Sequence, residues 1–154
     1  MTPSHENHLW WTPNSVGTFP GQCAELCGYS HANMRMRAFV QSQPEFDAWV
    51  LQQQAPAAEP SETEAARGAQ VFQQRGCLGC HTISGAPPQT ARAPDLRHFA
   101  SRQTLAAGIM ERSDANIRRW LHDPPGVKPG ATMPNLNLSD EELDALVAYL
   151  QSLK

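Results

Sequence analysis

The spacing of apolar residues changes part-way along the chain. From Glu64 onward it is helical. Ala65, Ala69 and Phe72 share one face of a stretch that Gly76 brings to a stop. Ile117, Trp120 and Leu121 follow Ser113 at helical intervals, and Pro124-Pro125 ends that segment. The last helix is the clearest. Ser139 and Glu142 make a capping-box pattern, Asp140 and Glu141 sit in the first turn where the helix dipole favours anions, and Leu143, Leu146, Val147 and Leu150 form the stripe to be buried. Upstream, Phe19 and the series Met36, Ala38, Val40 alternate as strands do, with breaks expected at Thr12-Pro13-Asn14 and Pro20-Gly21. Between the two regimes, residues 52–63 (QQQAPAAEPSET) carry no large apolar side chain and have the composition of a solvated linker. The expected organisation is therefore a β-like fragment at 1–51, a linker at 52–63 and a helical domain at 64–154. So short and apolar-poor a β segment makes a weak domain by itself.

Charge narrows the function classes. A formal net charge of −3 over 154 residues argues against a chain built to neutralise phosphates, so nucleic acid is not an expected partner. No apolar run approaches the roughly 20 residues that cross a bilayer, and MTPSHENHLWW lacks the basic and apolar regions of a signal peptide. No internal repeat is visible.

The cysteines fall into two close pairs, each followed by a histidine, which reads as cofactor chemistry more readily than as a disulfide framework. Cys77-Leu78-Gly79-Cys80-His81 has the CxxCH spacing of covalent haem c attachment: two thioether bonds on one macrocycle edge, with the next imidazole reaching the iron. The same spacing also occurs in zinc and redox sites. Zinc would want further ligands, and this half offers no second cysteine pair, only His98 and His122; a redox CxxC would want a βαβ context. The haem reading requires a distal ligand downstream, and Met133 lies in the proline-braced run Lys128-Pro129-Gly130-Ala131-Thr132-Met133-Pro134. His/Met ligation leaves no open position and suits electron transfer. The competing reading of Met133 is a core gap-filler. Arg102 is a candidate partner for a haem propionate, and Trp120 is most simply a core residue.

On these motifs, residues 64–154 resemble a class I cytochrome c domain. The resemblance covers the opening helix with Gly68 and Phe72, CLGCH, Ala93-Pro94-Asp95-Leu96, the Met133-Pro134 loop and a closing helix bearing Tyr149. It implies that the first and last helices cross closely at the glycine, that the two aromatics pack there, and that Pro94 supports the proximal imidazole. Haem c attachment also implies the outer side of a membrane, in a bacterium the periplasm. Export would then depend on sequence outside this chain.

The other pair lies in Cys23-Ala24-Glu25-Leu26-Cys27-Gly28-Tyr29-Ser30-His31-Ala32-Asn33-Met34. Thiolate, imidazole and thioether are the ligand set of copper electron-transfer sites, and two cysteines at this spacing can bridge two ions. The run resembles the binuclear copper loop of cytochrome c oxidase subunit II. That resemblance implies ligand roles for Cys23, Cys27, His31, Met34 and the backbone carbonyl of Glu25. Phe19-Pro20-Gly21-Gln22 before it and Phe39-Val40 to Trp49 after it are similar to the same family. A subunit II ending in a fused cytochrome c domain is the arrangement of caa3-type oxidases. The family takes one more copper histidine from an upstream strand of a cupredoxin sandwich; His5 and His8 lie too near Cys23 for that role. The chain is accordingly read as a C-terminal fragment whose first strands and two transmembrane helices are absent, with an incomplete copper site.

The expected fold is mainly α: a class I cytochrome c domain preceded by a partial cupredoxin-like β fragment. The expected function is an electron relay from a quinol-oxidising complex or soluble carrier, through the haem, to the copper centre and on to oxidase subunit I, with no oxygen-reducing centre in this chain. The alternative is a freestanding soluble c-type cytochrome whose N-terminal segment is vestigial and free of copper.

Overall fold

The computed structural model describes residues 6, 8–84 and 93–154. It is mainly helical, with two small antiparallel sheets. Strands β1 (Gly17–Gln22) and β2 (Arg35–Val40) pair in the register Gly17 opposite Val40 through Gln22 opposite Arg35. The break expected at Pro20-Gly21 does not occur, and β1 runs straight through it. In a two-stranded sheet each strand is an edge, where the missing N–H of Pro20 costs no ladder bond.

Helix α1 (Gln43–Gln54) follows, entered through Ser42, whose backbone N–H and hydroxyl both donate to Glu45 Oε2, at 2.9 and 2.7 Å. It extends to Gln54, inside the segment expected to be linker. Glutamine is a good helix former, and the helix stops at Ala55, since a residue preceding proline is pushed to extended backbone; Ala55 has φ −65° and ψ 151°.

Helix α2 (Thr63–Gln74) opens the helical half, and its cap residue Arg75 is followed by Gly76 at φ 72°, a left-handed position that glycine takes without cost. A hairpin, β3 (Thr104–Leu105) with β4 (Met110–Glu111), turns through Ala106, Ala107 and Gly108, all at positive φ. Helix α3 (Asp114–His122) is capped by the Ser113 hydroxyl, which accepts from Asn116 N. Pro124-Pro125 not only closes α3, as expected, but opens the short helix α4 (Pro124–Val127), where Asp123 accepts from Gly126 N at 3.2 Å. Helix α5 (Asp140–Ser152) carries the expected box: Ser139 Oγ accepts from Glu142 N and Ser139 N donates to Glu142 Oε2 at 2.9 Å. Arg75 also donates to both oxygens of Glu142 at 2.7 Å, tying the end of α2 to the start of α5. The Ser139 amide first and then Arg75 hold the Glu142 carboxyl below its ordinary range.

The core lies where α2 crosses α5. Val71 and Phe72 meet Leu143, Leu146, Tyr149 and Leu150, with Ile117 and Leu121 of α3, Leu96, Phe99, Leu105 and Leu153 completing the cluster. A Cβ on Gly68 would fall on the carbonyl of Ala145 and 2.6 Å from Tyr149 Cβ, so only glycine permits this approach. Phe72 and Tyr149 meet edge to face at 5.5 Å, an arrangement the ring quadrupoles favour. Among the described residues none before Ala65 is buried. Trp10 and Leu9 are more than four-fifths exposed, and Phe19, Phe39, Phe46 and Trp49 about half. The N-terminal part thus has no core of its own.

Candidate haem and copper sites

The CxxCH segment leaves α2 at Gly76 and enters a single 3-10 turn, Cys77–Gly79, closed by Cys80 N and His81 N, which both donate to Cys77 O, at 3.2 and 2.9 Å. The turn sets Cys77 half-buried at the core margin and leaves Cys80 exposed. Burial pushes the Cys77 thiol up from its ordinary value, and the neighbouring Cys80 adds to this. His81 Nδ1 lies 2.8 Å from the carbonyl of Pro94. A carbonyl only accepts, so Nδ1 carries the proton and the Nε2 lone pair is left for a metal. Leu96 N donates to Thr82 O at 2.7 Å, fastening the segment that supplies that carbonyl. Met133 is partly buried and packs against the same core, as do Cys77, Ile83 and Met110. Its loop turns at Gly130, φ 83°, with Ala131 N donating to Lys128 O at 3.0 Å. These residues suit haem c: two free thiols on one turn, an oriented imidazole, and a thioether at the apolar margin.

The second site sits between β1 and β2. Cys23 Sγ is 3.5 Å from Cys27 Sγ and 3.0 Å from the Glu25 carbonyl, while Cys27 Sγ is 3.7 Å from His31 Nδ1 and 3.6 Å from Met34 Sδ. All five residues singled out for copper therefore converge. The ligand atoms of Cys23, Cys27 and His31 lie within 4.8 Å of one another, the one such histidine-cysteine-carboxylate cluster among the described residues. The local backbone explains the convergence. Cys23 N donates to Met34 O at 3.0 Å, extending the β1–β2 ladder, and a 3-10 turn at His31–Asn33 brings imidazole and thioether back over the thiols. The hydrogen bond with Cys23 is the first cause raising the Cys27 thiol. Two thiols this close to each other, to an imidazole and to a thioether are a soft donor set for a metal ion.

A protein-family model for cytochrome c matches residues 65–154. The chain belongs to the cytochrome c family. Family membership implies haem c and one-electron chemistry. Beyond the cytochrome c domain, the chain is 42% identical to cytochrome c oxidase subunit 2 of Alkalihalophilus pseudofirmus over 99% of its own length and 44% of that protein's. It is 41% identical to the subunit 2 of Bacillus sp. strain PS3, over 97% of this chain and 45% of the other, and 38% identical to that of Bacillus subtilis, over 88% and 39%. The chain thus spans about half the length of the curated relatives it matches.

Within the cytochrome c domain, the residues named from sequence fall unequally. Pro94 meets the imidazole through its carbonyl. Arg102, expected toward a propionate, donates to the Asp95 carbonyl and lies over the Phe99 ring, and burial lowers its pKa while Asp95 opposes that shift. His98 is buried, and its Nε2 meets the Ala55 carbonyl at 3.1 Å, pinning the end of α1 to the cytochrome c domain. His8 stacks on Trp10 and faces Glu6 rather than the copper cluster, and His5 lies outside the described residues. The 104–111 hairpin was missed, because two-residue strands give no periodicity.

Proposed function

We propose that this chain is the cytochrome c-bearing part of a caa3-type oxidase subunit II and relays single electrons, received from a quinol-oxidising complex or a soluble carrier, to the N-terminal copper loop and from there to subunit I. The observation that carries the reading is the convergence of Cys23, Cys27, His31, Met34 and the Glu25 carbonyl in one cluster on the same chain as a cytochrome c domain. A freestanding carrier would have no use for the first. The similarity of nearly the whole chain to oxidase subunits supports it further.

Cys77 and Cys80 would hold haem c as thioethers, His81 through Nε2 and Met133 through Sδ would ligate its iron, and the Pro94 carbonyl keeps the imidazole in the metal-binding tautomer. Haem c, when bound, supplies a one-electron ferric/ferrous couple. Two protein ligands of this kind would leave no open position for small molecules, which suits electron transfer over oxygen chemistry. Cys23, Cys27, His31, Met34 and the Glu25 carbonyl would hold copper in the N-terminal loop, where thiolate, imidazole and thioether donors suit one-electron transfer. Working on the outer face of a bacterial inner membrane, beside the other oxidase subunits, follows from the same reading.

Copper reconstitution tests it. Among the described residues the cluster holds one imidazole, His31, where a symmetric pair would use two, so the expected product is weak or mononuclear binding, with Cys23 and Cys27 prone to close as a disulfide in air. Anaerobic titration with metal analysis and electron paramagnetic resonance should show one copper-thiolate centre that Cys27→Ser abolishes. Absence of any thiolate-bound copper would favour the freestanding carrier. The multiline signal of a mixed-valence pair would show that another residue completes the site.

A further inference from the structure

The segment that carries His31 and Met34 is fastened at both ends to the cytochrome c domain. Before it, Ser30 Oγ donates to the carbonyl of Pro129, in the loop that bears Met133. After it, Arg35 N donates to Ala107 O at 3.1 Å, and Arg37 Nη2 pairs with Glu111 Oε1 at 2.6 Å. The receiving surface is unusual. Ala106, Ala107 and Gly108 have φ of 52°, 64° and 80°, a left-handed run that alanine resists. The run turns the Ala107 carbonyl toward Arg35. A Cβ on Gly108 would stand 3.1 Å from Arg35 Cβ and 3.5 Å from its carbonyl carbon, so the turn fits closely around that residue. Lys128 Nζ reaches Ala106 O at 3.4 Å from the other side, joining the turn to the Met133 loop.

We propose that Ser30, Arg35 and Arg37 are positioning residues that seat the His31/Met34 edge of the copper loop on the Ala106–Gly108 turn and the Pro129 loop, and so set the rate of electron exchange between the two sites. The inference rests on the relay reading above. The step it serves moves one electron: the donor site is oxidised, the acceptor site reduced, and no bond or proton changes hands. Because chain connectivity already holds the two parts together, a small contact is enough to fix their orientation. The Arg37–Glu111 pair, its Glu111 two-thirds exposed, adds register more than strength.

Hydrogen exchange on the full chain, followed by NMR, reads the contact without requiring metal. The Arg35 amide should be protected in the native protein. It should lose at least about tenfold protection in Gly108→Val and in Arg37→Glu, and regain it in Arg37→Glu/Glu111→Arg. A freely exchanging Arg35 amide in the native protein, or unchanged protection in Gly108→Val, would overturn the contact. In protein carrying haem and copper, the first-order rate of electron redistribution after pulsed reduction should fall at least about tenfold in Arg37→Glu and recover in the charge-swapped pair. A rate indifferent to Arg37→Glu while Arg35 protection is lost would overturn the positioning role. Failure of the relay reading looks different: haem or copper would be missing from the native protein, with the Arg35 measurement still deciding the contact.

Discussion

At the scale of single residues, the haem assignment depends on two atoms, His81 Nε2 and Met133 Sδ. The 2.8 Å contact from His81 Nδ1 to the Pro94 carbonyl fixes which nitrogen is free, and a backbone acceptor does so without a side chain that could titrate. Met133 is more exposed to challenge, because a methionine at a core margin is a common filler. Its substitution discriminates. Met133→Ala should retain the covalent c-type spectrum but lose the weak near-infrared band of a sulfur-to-ferric-iron bond, read in oxidised protein. Were the band to survive unchanged, the distal ligand would be another residue. Burial raises the Cys77 thiol, which lowers its share of the reactive thiolate before attachment.

At the scale of elements, the α2–α5 crossing organises the cytochrome c domain, and Gly68 sets how closely the helices approach. The Phe72–Tyr149 edge contact contributes about 1 kcal/mol beyond area burial. Overpacking at Gly68 costs more: Gly68→Ala must displace backbone at Ala145 as well as Tyr149 Cβ, and should destabilise the domain by about 3 kcal/mol. Denaturant unfolding checks this, and a loss below about 1 kcal/mol would mean that the helices separate easily. These elements were legible in sequence because their signals are local: a capping box at Ser139/Glu142, a helical stripe, a glycine stop. The interruption at Pro20 was misread because the cost of proline depends on whether its strand has a neighbour on that side, which is a tertiary fact. Helix α1 was missed for a related reason. Its Phe46 and Trp49 stack on each other at 5.7 Å rather than on a core, so its apolar residues have no partner element to define a buried face. The candidate residues of both sites follow from the two cysteine motifs and the resemblances they carry, whereas the Ser30–Pro129 and Arg35–Ala107 contacts join residues distant in sequence at backbone carbonyls, which leave no trace in residue type.

At the scale of the whole molecule, two candidate redox sites of different construction share one chain. The cytochrome c domain is built on a continuous core; the candidate copper loop rests on a hairpin with no buried residue and leans on that domain through Ser30, Arg35 and Arg37. Docking offsets part of the ordering cost of such a loop, and a bound metal would offset more. The account's central claim is that the chain passes electrons internally between the two sites. Pulsed reduction of anaerobically copper-loaded protein measures this directly. Haem absorbance should relax in a first-order phase whose rate does not change with protein concentration, and that phase should vanish in Cys27→Ser while the haem spectrum stays the same. A relaxation that scales with concentration, or one that persists in Cys27→Ser, would contradict the relay and identify a freestanding carrier.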